Sequence, residues 1–110
     1  MAKANGYLLI ESRDPWESAD TRRFHELAVA LARVQPVTLF LVQNGVLGAR
    51  AGAEKTDLQA LKDAGVEVLA DEFSLRERGI EASRVDARVK SSPLDAVVDA
   101  LAAGRKVLWH

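Results

Sequence analysis

The sequence has no cysteine in 110 residues. That absence removes a disulfide framework, thiolate zinc and iron–sulfur sites, and any cysteine nucleophile. Histidine is scarce: His25 and His110 are the two present, and they show no metal-ligand spacing. No apolar run approaches the roughly 20 residues of a membrane span. The opening Met1-Ala2-Lys3-Ala4-Asn5-Gly6 lacks the long apolar stretch of a signal peptide. A net charge of −1 supplies no basic excess for a nucleic-acid or anionic-membrane surface. These absences lead us to expect a cytoplasmic protein with no metal, no cofactor, and neither a nucleic acid nor a membrane as partner.

What is present suits one folded unit. The chain is 48% hydrophobic and 28% charged, enough for one core and a solvated surface. Its length fits a single domain over residues 1–110. Tyr7-Leu8-Leu9-Ile10 is short and continuously apolar, the pattern of a strand buried on both faces. A polar segment, Glu11 to Pro15, separates it from a helix expected over about Asp20 to Val34. Phe24, Leu27, Ala28 and Leu31 would form the buried stripe of that helix, and Gln35-Pro36 would end it. Val37 to Val42 reads as the strongest strand, followed by a tight turn at Gln43-Asn44-Gly45 in which Asn44 and Gly45 tolerate positive φ.

A second helix is expected from about Glu54 to Ala64, beginning later if Thr56 and Gln59 form a capping box. Gly65 would close it, and Val66 to Ala70 would be the third strand. Ser74 and Glu77 have capping-box spacing on a short helical turn stopped at Gly79. Ala87-Arg88-Val89-Lys90 reads as a short strand. Ser92 and Pro93 have the cap-and-first-position pattern of a last helix, with Leu94, Val97, Val98 and Leu101 as its stripe. Lys106 to Trp109 is the final strand. Alternation of strands and helices implies parallel pairing through right-handed crossovers. The expected fold is therefore an α/β three-layer flavodoxin-like sandwich with a mostly parallel sheet of four to five strands.

In such sheets, ligands bind beyond the carboxyl ends of the strands. The ligand-binding candidates there are Glu11, Ser12, Asn44, Gly45, Arg50, Asp71, Arg76 and Arg78. In Gln43 to Arg50, glycines let backbone N–H groups approach a ligand and Arg50 can pair with an anion; the same residues also make an ordinary structural turn. The segment matches neither a Walker A loop nor a dinucleotide fingerprint. Asp71, Glu72, Arg76, Glu77 and Arg78 form a charge cluster that reads equally as a solvated helix face. His25, beside the apolar stripe of the first helix, reads as a partly exposed structural residue. No serine has a nucleophile-elbow context, and no catalytic residue is assigned. Trp16 and Trp109 are the interface candidates, since tryptophan is enriched where subunits meet.

Five segments also follow one another in a characteristic order and spacing: Tyr7-Leu8-Leu9-Ile10-Glu11-Ser12; Val37 to Asn44-Gly45-Val46; Gly65-Val66-Glu67-Val68-Leu69-Ala70; Leu75-Arg76-Glu77-Arg78-Gly79-Ile80; and Leu94 to Leu101 with its strand. In that order the chain resembles the DsrE/DsrF-like family, small α/β proteins that include subunits of bacterial sulfur-oxidation and tRNA-thiolation relays. The resemblance implies a flavodoxin-like sheet and assembly into dimers, trimers or hexamers. In sulfur-carrying members a cysteine follows the third strand, several residues before an Arg-Gly pair. Counting back from Arg78-Gly79, that position falls at or beside Asp71 here. An aspartate holds no persulfide, so thiol-based sulfurtransferase activity is excluded for this chain. The resulting expectation is a non-catalytic DsrE-like homo-oligomer acting by binding or assembly, with sulfur-relay proteins as partners. The alternative is a small-molecule or anion-binding protein, with weak enzymatic activity within its scope, using the crevice at the strand ends.

Overall fold

Five short strands pair side by side in a computed structural model that describes residues 5–54 and 56–110. Residues 1–4 of the opening segment, and Lys55 in the expected second helix, lie outside the described residues. The strands are β1 (Tyr7–Glu11), β2 (Val37–Leu41), β3 (Glu67–Asp71), β4 (Lys90–Ser92) and β5 (Lys106–Trp109). They form one sheet in the order β4-β3-β2-β1-β5, with every pairing parallel. The helices are α1 (Ala19–Leu31), α2 (Leu58–Asp63), α3 (Glu72–Glu77) and α4 (Asp95–Ala102). Two 3₁₀ segments, Gln43–Ala49 and Ala82–Arg84, complete the order.

Side-chain alternation along the strands divides the core in two. Leu9, Leu39, Leu41, Val68 and Ala70 face α1 and α2, where Ala28, Leu58 and Leu61 meet them. Leu8, Ile10, Phe40 and Val42 face the other way, toward Ala100 of α4 with Ala96, Val97 and Val107. β1 and β2 lie between the two layers and are almost wholly buried, which is why their sequences are continuously apolar. Each fully buried leucine among them contributes about 2 kcal/mol.

Several local expectations are corrected. α1 starts at Ala19, where the Ser18 hydroxyl accepts from the Asp20 N–H at 3.1 Å, and it ends at Leu31 rather than Val34. Its buried residues are Thr21, His25 and Ala28, while Leu27 is exposed. The helix is turned so that His25 meets Asp57 and Glu11, and Leu27 is left facing out. α2 begins at Leu58, later than Glu54, and Gly65 closes it at φ 83° with Val66 N–H on the Leu61 carbonyl. Asp71, not Ser74, caps α3: its carboxylate accepts from the Ser74 N–H at 2.9 Å and hydroxyl at 2.7 Å.

The fourth strand is Lys90–Ser92 rather than Ala87 to Lys90, so Ser92 ends a strand and its hydroxyl donates to the Pro93 carbonyl. α4 consequently starts at Asp95, beyond Ser92-Pro93. Its face on the sheet is Ala96, Val97 and Ala100, not the expected set with Leu94, Val98 and Leu101. Small residues let the helix lie close to the sheet, and the larger ones are turned outward.

The expected turn at Gln43-Asn44-Gly45 is the first turn of a 3₁₀ segment, and the residue with positive φ is Gln43, at 50°. Gly45 is needed for a different reason. A Cβ there would overlap the Glu11 carbonyl oxygen, which also accepts the Val42 N–H at 2.9 Å. Gly45→Ala is therefore expected to destabilise the fold by about 2 kcal/mol through forced backbone displacement. Denaturant unfolding measures this, and a midpoint equal to wild type would refute the close-approach account.

Candidate functional site

The parity that buries Leu9 under α1 also sends Glu11 to that face, two residues on. Glu11 ends β1 with no exposed surface. Beside it, β5 pairs in register with β1, Ile10 opposite Trp109. The pairing continues one step: His110 N–H donates to the Ile10 carbonyl, and Ser12 N–H and hydroxyl both donate to the His110 carbonyl. His110 is thereby held with Nδ1 at 2.9 and 3.0 Å from the two Glu11 carboxylate oxygens. The Arg13 backbone N–H donates to the same carboxylate at 3.1 Å. Phe24 of α1 lies against the His110 ring, with centroids 5.2 Å apart.

On the opposite side stands His25, only 7% exposed. Its Nδ1 is 3.0 Å from Asp57, the residue preceding α2, and its Nε2 is 4.0 Å from Glu11 Oε1 with no hydrogen-bond partner among the described residues. With Nδ1 bonded to Asp57, the ring turns Nε2 toward a Glu11 oxygen without reaching it. Burial pushes the Glu11 carboxyl above its ordinary value of 4.5, against the downward pull of the Arg13 N–H and His110. Two histidine–carboxylate pairs thus face each other across the end of β1. The His25 side has no room for a substrate: the cavity beside it, lined by residues including Pro15, Leu39, Leu41 and Leu58, has a volume of about 10 Å³.

A second polar region lies farther along the same edge. Asp71 is buried and committed to Ser74, whose hydroxyl in turn accepts the Gln43 N–H at 2.8 Å. Arg78 donates through Nε and Nη2 to Asn44 Oδ1 at 3.1 and 3.0 Å, and through Nη1 to the Ser74 carbonyl at 3.3 Å. Arg50 donates to the Leu47 carbonyl at 2.9 Å and lies over the Trp16 ring at 5.6 Å. Arg50, Arg78 and Arg84 line an open cleft of about 580 Å³ together with Gly52, Gly79 and Glu81.

Comparison with known proteins matches residues 6–110 to the model of the DsrE/DsrF-like family. The chain belongs to the DsrE/DsrF-like family. Among solved structures, this DsrE-like chain is similar to the ychN protein from E. coli, with 20% identity, a TM-score of 0.81 and full coverage of both chains. It is also similar to a conserved protein of unknown function from Bacteroides thetaiotaomicron, at 18% identity and a TM-score of 0.77 over 100% of this chain and 99% of that one. A protein of unknown function from Methanobacterium thermoautotrophicum superimposes with a TM-score of 0.67 at 17% identity, covering 96% and 97%. At these identities the likeness is one of fold. No curated protein matches.

The DsrE-like frame separates the sequence-predicted site residues into groups. Glu11 and Ser12 meet His110 at the end of β1, and Gly45 packs against the Glu11 carbonyl. Asn44 and Arg78 bond to each other, and Arg50 shares their cleft region. Asp71, where the resemblance would put the sulfur-carrying cysteine, is a buried helix cap, and Arg76 is exposed on α3 outside the cleft lining. Trp16 is 44% exposed and its indole N–H donates to the Glu54 carbonyl, whereas Trp109 is 66% exposed. Sequence reading missed His25, Asp57, His110 and Arg84. The expectation that His25 is partly exposed is corrected, because helix rotation buries it. One signal was available: Glu11 follows Leu9 at strand spacing, so a carboxylate had to be buried beside whatever α1 and β5 supplied.

The sign of the Glu11 effect on stability follows from linkage. A folded-state value above the unfolded value means that the native state binds the proton more tightly, so stability falls as pH rises through that interval. Unfolding free energy is expected to decline as pH rises from 4.5 toward neutrality. In Glu11→Gln that decline is expected to be absent, whatever the variant's absolute stability. Denaturant melts at a series of pH values test this, and parallel wild-type and variant curves would refute it.

Proposed function

We propose that this chain is a non-catalytic member of the DsrE-like family that acts by binding and as an assembly of identical copies, alongside partners that carry the sulfur. Its lack of cysteine supports the non-catalytic part, because persulfide transfer requires a thiol. The observation that carries the assembly reading is α4. Leu94, Val98 and Leu101 are 58%, 61% and 57% exposed, at the spacing of one helical stripe opposite the face that packs on the sheet. Trp109, opposite Ile10 and so on the same side of the sheet, adds a large exposed aromatic.

The sheet beneath is only partly covered. α4 packs on Leu8, Ile10 and Phe40, and a groove of about 260 Å³ runs beside it past Leu69, Ala103 and Arg105. Monomers rarely leave contiguous apolar patches larger than a few hundred Å² in water, roughly, and interfaces bury such patches with aromatic anchors. A second copy of the chain brings the same apolar stripe, so the pairing is self-complementary.

At micromolar concentration, sedimentation is expected to give a mass of more than one copy. Val98→Asp combined with Leu101→Asp is expected to shift the species to a monomer with unchanged circular dichroism, since both side chains already face solvent in the single chain. A wild-type monomer, or a double variant that assembles as wild type does, would overturn the proposal.

A further inference from the structure

The cleft formed by Arg50, Arg78 and Arg84 stands apart from the apolar face of α4 and is built differently. Three guanidinium groups and one carboxylate, Glu81, line it, so its local charge is strongly positive in a chain whose net charge is −1. Among the described residues, none of these three arginines is in an ion pair. Unpaired arginines at one place repel one another, and proteins ordinarily relieve that repulsion with a counter-charge.

The groups are also held in position. Arg78 is fixed by Asn44 and the Ser74 carbonyl, and Arg50 by the Leu47 carbonyl and the Trp16 ring. Neutral acceptors hold both side chains while leaving their charge uncompensated. The backbone carrying Arg84 is tied to the segment carrying Arg50, with Ala51 N–H donating to the Arg84 carbonyl at 2.7 Å and an antiparallel bridge joining Arg50 to Val85. Arg50 and Arg78 therefore lose little side-chain freedom when an anion arrives, and Arg84 brings an unbonded guanidinium on a tied backbone.

We infer that this cleft is a binding site for a tetrahedral oxyanion, taken either as a free ion or as the head group of a small organic molecule. Guanidinium forks match the oxygens of such an anion in pairs. The volume of about 580 Å³ exceeds what a bare sulfate or phosphate fills and leaves room for an organic portion. The inference stands independently of assembly through α4, because none of the cleft arginines lies on that helix.

The test is isothermal titration of the full chain with sulfate, thiosulfate, phosphate and a phenyl phosphate, at ionic strength held constant with chloride. Saturable binding of one anion per chain is expected. The phenyl ester binding more tightly than inorganic phosphate points to an organic ligand, and equal binding to the free ion. Arg78→Gln and Arg84→Gln are each expected to weaken binding by about tenfold, and Arg23→Gln on α1 to leave it unchanged. Arg84 makes no side-chain hydrogen bond among the described residues, so its variant tests the site even if Arg78→Gln fails to fold. Heats no larger than the chloride control for every anion, or cleft variants that bind as wild type does, would overturn the inference. So would an Arg84→Gln variant that changes sedimentation but not anion affinity, because the cleft would then be a subunit contact.

Discussion

Glu11 ends β1 with its carboxylate wholly out of water, and an ionisable group in that position must draw donors or a proton from its surroundings. The surroundings come from every part of the fold. The loop after β1 contributes the Arg13 N–H, β5 contributes His110, and α1 contributes His25 with Asp57 behind it. The Glu11 main chain is equally committed, since its carbonyl accepts the Val42 N–H and lies against Gly45. The end of β2 is thereby seated on the end of β1, and the direction of the 3₁₀ segment that follows depends on that contact. This segment then delivers Asn44 to Arg78 and Arg50 to Trp16. The buried carboxylate is in this way connected to the arginine cleft, although the two sites share no side chain.

The two sides of the sheet are covered unequally, and that asymmetry separates the two surfaces to which function is attributed. α1 and α2 close one face over a large cluster of buried residues. On the other, α4 touches the sheet through alanines and Val97 and presents its larger residues outward. A helix apolar on two faces is under-satisfied in an isolated chain. The arginine cleft, in contrast, is lined by Arg50 and Arg78, which neutral acceptors hold, and by Arg84. With apolar and charged surfaces on different elements, the proposed assembly and the inferred anion binding would be lost separately.

Much of the architecture was legible in short stretches of sequence. Continuous apolar runs at Tyr7 to Ile10 and Val37 to Leu41 mark strands buried on both faces, and Gly65 and Gly79 mark helix ends at positive φ. Elements whose limits depend on neighbours were less legible. Ala87 to Lys90 has the composition of a strand, yet pairing with β3 selects Lys90–Ser92 because Leu69, Ala70 and Asp71 are the residues available opposite. Ser92-Pro93 has the chemistry of a helix start, but the strand claims the serine. For α4, hydrophobic periodicity predicts a buried stripe without distinguishing which of two apolar faces meets the sheet; close packing favoured the smaller residues.

By itself the sequence determined the class of fold, the family, and the exclusion of sulfur carriage by a thiol, because apolar periodicity, segment order and residue chemistry are local properties of the chain. The candidate residues at the strand ends were legible for the same reason, since parallel sheets present those loops on one edge. Only the tertiary structure decided that His25 and His110, 85 residues apart in sequence, flank one carboxylate, and that Arg84 joins Arg50 and Arg78. Those groupings depend on strand register and on the rotation of α1 about its axis. Both are set by packing across the whole sheet, which no single segment of the chain encodes.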